Sequence, residues 1–102
     1  MARSVKWLIE AQTDVEEIER FIARGSERYA AIVASEIAFL PRSVLIAHPL
    51  AGGLVSEDRS QRHRQLLCYS YRVIYRVEDE LIIIVAVIHG ARLLTPEVLD
   101  RR

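Results

Sequence analysis

Apolar residues recur at Ala11, Val15, Ile18 and Ile22, in steps of four and three that draw one stripe along a helix, with the acids mostly on the opposite side. The pattern predicts a helix over roughly 10–24, preceded by a short apolar run, Ser4 to Leu8, that reads as a first strand. Thr13 and Glu16 have the spacing of a capping box. Gly25 and Ser26 then break the pattern: glycine suits the left-handed position just past a helix end, and serine can cap the next helix. Tyr29, Val33, Ile37 and Leu40, with Ile32 and Phe39 beside them, mark a second stripe over roughly 27–40, which Pro41 ends or distorts. Two helices joined by so short a break fold back as an antiparallel hairpin.

After Pro41 the period changes. His48-Pro49, Gly52-Gly53 and the polar run SEDRSQRH mark residues 42–63 as loop. Three strand-like runs follow, Gln65 to Cys68, Tyr71 to Val77 and Leu81 to Ile88, with Glu78-Asp79-Glu80 as a hairpin turn between the last two. The final run, LIIIVAVI, is apolar throughout, which predicts a central strand covered on both faces, one by the helical hairpin and the other by a partner. The segment from Leu94 to Arg102 reads as a tail in which Thr95-Pro96-Glu97 caps a terminal helical turn. The expected architecture is α+β in the order β-α-α-β-β-β, a helical hairpin on a mostly antiparallel sheet. The 102 residues are expected to form one domain, which at this size buries about two thirds of its unfolded surface.

Composition narrows the function more by exclusion than by assertion. Hydrophobic residues make up 51% and charged residues 27%, ordinary for a globular chain. No apolar stretch has the length of a membrane span, and MARSVKWLIEAQTD has no apolar core before its first acids, so a cytoplasmic protein is expected. Cys68 is the sole cysteine, which fits a reducing compartment and rules out a thiolate-rich metal site. His48, His63 and His89 are too scattered for a zinc set, and no nucleotide-binding or protease motif is present, so neither metal nor cofactor is expected.

The net charge is zero but unevenly laid out. Residues 10–19 carry Glu10, Asp14, Glu16, Glu17 and Glu19 without a base, whereas residues 59–76 carry Arg59, Arg62, Arg64, Arg72, Arg76 and His63 without an acid. Thirteen of the fourteen Lys and Arg residues are Arg, the side chain suited to bidentate contact with carboxylate or phosphate. Such a half points to an acidic partner, protein or nucleic acid, with a solvated surface as the plain alternative. Alternation along the Tyr71–Val77 run puts Tyr71, Val73, Tyr75 and Val77 on one face and Arg72, Ile74 and Arg76 on the other. His89-Gly90-Ala91-Arg92 closes the last strand and sets His89 and Arg92 at the rim of the sheet.

Several of these pieces, in order, resemble the ParE/RelE toxin superfamily over nearly the whole chain. They are Val5-Lys6-Trp7, the Glu10-Ala11, Asp14-Val15, Ile18 and Phe21-Ile22 pattern, His48-Pro49-Leu50-Ala51-Gly52, Arg64, the Tyr71-Arg72-Val73-Ile74-Tyr75-Arg76-Val77 strand, and His89-Gly90-Ala91-Arg92. The resemblance implies the toxin of a type II toxin–antitoxin pair, in hetero-oligomeric complex with a ParD-like antitoxin whose flexible half folds onto it. ParE-like members are associated with poisoning of DNA gyrase, by binding and not by catalysis. RelE-like members are ribosome-dependent mRNA endonucleases, in which Arg72 and Arg92 would occupy phosphate-binding positions. This chain has no tyrosine in the tail after Arg92, no lysine in the loop before the second strand, and only His89 to move protons at neutral pH. ParE is therefore the favoured reading, with no catalytic residue and no sequence-specific DNA contact by this chain. The alternatives are a RelE-like nuclease and a homologue confined to antitoxin binding and operon autoregulation. Gln65 and Ala91 depart from the family's usual acid and second arginine at those places. Candidate target-binding residues are Arg64, Arg72, Arg76, His89 and Arg92. Candidates for an antitoxin groove are Tyr29, Val33, Ile37, Leu40, Ile82, Ile84 and Ile88.

Overall fold

In the computed structural model, which describes residues 3–102, the two apolar stripes form α1 (Ile9–Ala23) and α2 (Glu27–Leu40), packed as a hairpin. α1 starts earlier than its capping-box spacing implies: Leu8 is the N-cap residue, with no side-chain cap, and Thr13 lies within the helix. At the break, the Gly25 and Ser26 amides both donate to the Ile22 carbonyl at 3.0 Å. Gly25 does not take the left-handed conformation expected of it. The Ser26 hydroxyl accepts from the Tyr29 amide at 3.0 Å and so satisfies one of the free donors of α2. Pro41 does not end the coil but opens a wider π-helical turn, Pro41–Leu45, which seats Leu45 in the core.

The strands are β1 (Ser4–Trp7), β2 (Gly53–Leu54), β3 (His63–Cys68), β4 (Tyr71–Glu78) and β5 (Leu81–His89), followed by a single turn of helix, α3 (Pro96–Leu99). They form one sheet in the order β1-β5-β4-β3-β2. β1 runs parallel to β5, with Ser4 opposite Leu81 and Trp7 opposite Ile84, and the other pairs are antiparallel. β2, too short to have a period of its own, is an addition to the predicted order. Val85 is the extra residue of a bulge in β5, because Tyr75 pairs with Ile84 while Ile74 pairs with Ala86.

The core lies between the hairpin and the sheet, and Ile82 to Val87 of β5 are all buried, as expected for a covered central strand. The second cover is intramolecular: Leu94 is buried against this core, and Val98 and Leu99 of α3 pack on it. Four residues expected to line an antitoxin groove lie instead in the core between the hairpin and the sheet. Val33, Ile37, Ile82 and Ile84 are fully buried core residues, and Leu40 and Ile88 are half-buried. Of that set only Tyr29 is exposed; the other exposed large apolar side chains of the two helices are Ile9, Phe21, Ile32 and Phe39.

The His48–Gly52 loop is tied down by one tyrosine. The buried Tyr75 hydroxyl donates to the Pro49 carbonyl at 2.8 Å and accepts from the Gly52 amide at 2.9 Å. Burial pushes this phenol above its ordinary pKa. A Cβ at Gly52 would lie 2.5 Å from the Gln65 carbonyl oxygen and 2.8 Å from the Tyr75 ring, so the glycine is required by close approach and not by its φ.

Candidate functional site

Register assigns the charged residues to two sides of the sheet. Tyr71 faces His89 across β4 and β5 on the helical side, whereas Leu67 faces Arg72 and His63 faces Arg76 on the other. The five candidate target-binding residues therefore form no single patch, and Arg72 and His89 lie on opposite faces.

Two of the five are inside the protein. Arg72 and Arg76 are 7% and 6% exposed. Arg72 grips Glu57 with both terminal nitrogens, at 2.9 and 2.8 Å, while its Nε donates to Gln65 at 2.7 Å and Nη1 to the Arg92 carbonyl at 3.1 Å. Glu57 also accepts from the Leu94 amide at 2.9 Å. The Arg72 guanidinium holds the Glu57 carboxyl down at about 2, against the effect of burial. Arg76 pairs with Glu78, whose carboxyl it holds below the ordinary range, and donates to the Arg101 carbonyl at 2.9 Å. Both arginines thus pin the tail to the sheet and present no free guanidinium at the surface. Arg64, half-buried, donates to the Gly52 carbonyl at 2.7 Å and braces the loop before β2.

The loop bearing Glu57 is fixed by its neighbour. Asp58 accepts from the Ser60, Arg62 and His63 amides, the Ser60 hydroxyl and His63 Nδ1. Burial would raise this carboxyl, but hydrogen bonds from Ser60 and His63 hold it well below the carboxylate range. Nδ1 of the buried His63 lies 2.8 Å from the Asp58 carboxylate, and Nε2 has no partner among the described residues.

His89 and Arg92 do meet, in a cleft of about 430 Å³ lined also by Asp14, Glu17, Ile18 and Phe21 of α1 and by Tyr71, Val87 and Ile88. The α1 side follows from helical spacing, since Asp14, Ile18 and Phe21 stand at i, i+4 and i+7 on one face. That spacing was the available signal for residues the basic-patch reasoning passed over. Asp14 has a second task where β1 stops short of β5: its carboxylate accepts from the Val87 amide at 3.0 Å and from Arg101 at 2.7 Å, while Arg101 donates to the Val85 carbonyl at 3.2 Å. Two side chains thus cap the bare edge of β5. The Tyr71 and His89 rings meet edge to face, 5.6 Å apart. His89 Nδ1 accepts from the Ala91 amide at 3.1 Å. A backbone amide only donates, so in the neutral ring that accepts it the proton sits on Nε2. Among the described residues no group of three His, Cys, Asp or Glu side chains is placed to hold a metal ion, and no helix is long and apolar enough to cross a membrane.

The fold is shared with solved toxin structures. A chain of the chromosomal ParDE toxin–antitoxin system from P. aeruginosa superposes with a TM-score of 0.72 at 19% identity, covering 86% of this chain and 96% of the other. The free E. coli toxin RelE, as a double arginine-to-alanine mutant, gives 0.63 at 17% identity over 99% and 94%. The toxin–antitoxin complex RelBE2 from Mycobacterium tuberculosis gives 0.58 at 24% identity over 87% and 99%. No curated protein matches the sequence significantly. The model of the ParE toxin of the type II toxin-antitoxin system parDE matches residues 5–94, which take in β1, the hairpin, the sheet and both sides of the His89 cleft, and the chain belongs to that family.

Proposed function

We propose that this chain poisons DNA gyrase by binding it in the cytoplasm, and that a ParD-like antitoxin neutralises the chain by folding onto it. The observation that carries a binding function over RNA cleavage is the state of His89. A general base needs a free lone pair directed at the 2′-hydroxyl, and the only acceptor nitrogen of neutral His89 is occupied by the Ala91 amide. The charge-stabilising groups of a nuclease are also dispersed: Arg72 lies on the far face in a closed ion pair, leaving Arg92 as the one arginine in the cleft. The cleft's mixture of Asp14, Glu17, His89 and Arg92 with Phe21, Ile18 and Tyr71 is the mixture a protein interface uses, whereas a strand of RNA calls for continuous positive charge. The RelE-like fold match makes cleavage the reading to test against.

Inducible expression of the chain without antitoxin tests the proposal, with DNA-damage response and transcript integrity followed in parallel. The expected result is growth arrest with DNA damage and intact transcripts, with His89→Ala reducing toxicity only modestly. Cut transcripts without DNA damage, abolished by the same substitution, would sink the gyrase reading. Soluble chain without toxicity would leave only antitoxin binding and autoregulation.

A further inference from the structure

On the face opposite His89, the Glu57 carboxylate sits in a receptor built from buried parts. Arg72 supplies two parallel N–H donors at 2.8 and 2.9 Å, the Leu94 amide a third at 2.9 Å, and the Ser56 hydroxyl a longer contact at 3.3 Å. Arg72 is itself held in place by Gln65 and by the Arg92 carbonyl. A guanidinium fork with an added backbone amide is shaped for any planar carboxylate, and the group now filling it comes from an exposed-edged loop of the same chain.

The surroundings specify what would come in. The receptor opens into a cleft of about 510 Å³ whose wall includes Leu67, Tyr69 and Leu93. Leu67 and Leu93 are 71% and 81% exposed, and the exposed Tyr69 ring is steadied edge-on by Tyr29, 5.9 Å away. β3 also has a bare edge here, because β2 pairs only with Arg64 and Gln65 and no strand among the described residues lies beside Leu66 to Cys68. Apolar walls and unpaired backbone groups match a polypeptide. A nucleic acid would find Arg92 as the only exposed base in the wall.

We propose that this cleft docks an extended segment of a protein partner that carries an acidic side chain between apolar ones, and that Glu57 is the internal stand-in this acid displaces from Arg72. Exchange of one carboxylate for another leaves no buried charge stranded, so the swap avoids the cost of opening a buried pair. The site opens on the face opposite the His89 cleft, and Arg92 lines both.

The test uses the full chain and two capped five-residue peptides, one with a single Glu flanked by leucines and the other with Gln in its place. The Leu94 amide and Arg72 Nε–H resonances are followed by NMR. Expected are saturable shifts of both signals with the Glu peptide, none with the Gln peptide, and binding at least about tenfold tighter to Glu57→Gln, in which the internal competitor is weakened. Equal affinity for wild type and variant, or for the two peptides, overturns the proposal. Movement of the same signals by a single-stranded oligonucleotide but not by the Glu peptide assigns the site to phosphate and overturns it. Their movement on concentrating the chain alone, without a response to the Glu peptide, assigns it to a second copy and overturns the proposal. Should Glu57→Gln fail to fold, the wild-type titration decides, since a receptor indifferent to the Glu peptide at millimolar concentration is not a docking site.

Discussion

Arg72 and Glu57 neutralise each other where little water reaches, and this ties the fold to pH. The Arg72 guanidinium depresses the Glu57 carboxyl from an ordinary 4.5 to about 2. A carboxyl lowered in the folded state contributes stability that is complete above its unfolded pKa and is lost as pH falls through the folded value. The window is therefore pH 5 down to 2. Urea unfolding at stepped pH should show Glu57→Gln less stable than wild type at pH 7, with the two converging as pH approaches 2. A gap that persists undiminished at pH 2 would mean the pair adds nothing through ionisation. None of this was legible at the level of single residues. Arg72 and Arg76 belong to an acid-free run that looks like a surface, and their partners are a glutamate in a loop, a glutamate two residues on, and carbonyls of the C-terminal tail. His89 and Arg92 were placed at the rim because a strand end is set by sequence, and there the structure puts them, but the acids opposite them come from α1.

Among the elements, β5 shows how an edge is closed without a strand. β1 satisfies it as far as Ile84, and Asp14 and Arg101 take over at Val85 and Val87. Asp14→Ala leaves the Val87 amide without an acceptor and leaves Arg101 only the Val85 carbonyl, at a cost of about 1–3 kcal/mol. Denaturant unfolding checks this, and a double-mutant cycle with Arg101→Ala should show coupling, since the two side chains share one contact. Independent, additive losses would mean that each caps the edge alone. The helices were legible because fourteen or fifteen residues give a period time to declare itself, and β3 to β5 because their apolar density is high. β2 has two residues and thus no period, and the parallel direction of β1 is set by the hairpin that carries the chain across to β5, which no local pattern encodes.

Across the whole molecule, the tail functions as the second layer of the core. It lays Leu94, Val98 and Leu99 over the sheet and is held by Arg72, Arg76 and Glu57. Removing residues 93–102 should lower stability by several kcal/mol, with burial of Leu94 alone worth on the order of 2–3 kcal/mol. A chain so shortened that kept its unfolding midpoint would show the tail to be ornamental. The pairing of β1 with β5 has a further consequence, in time and not in space. The first strand to leave the ribosome waits for the last, and the contact joins ends separated by most of the sequence, so the closing step is slow and falls late. Until β5 has been translated, the helical hairpin has no sheet to cover its apolar stripe. A growing chain is thus without its complete sheet for most of its synthesis, an interval in which an antitoxin made alongside it can already be present.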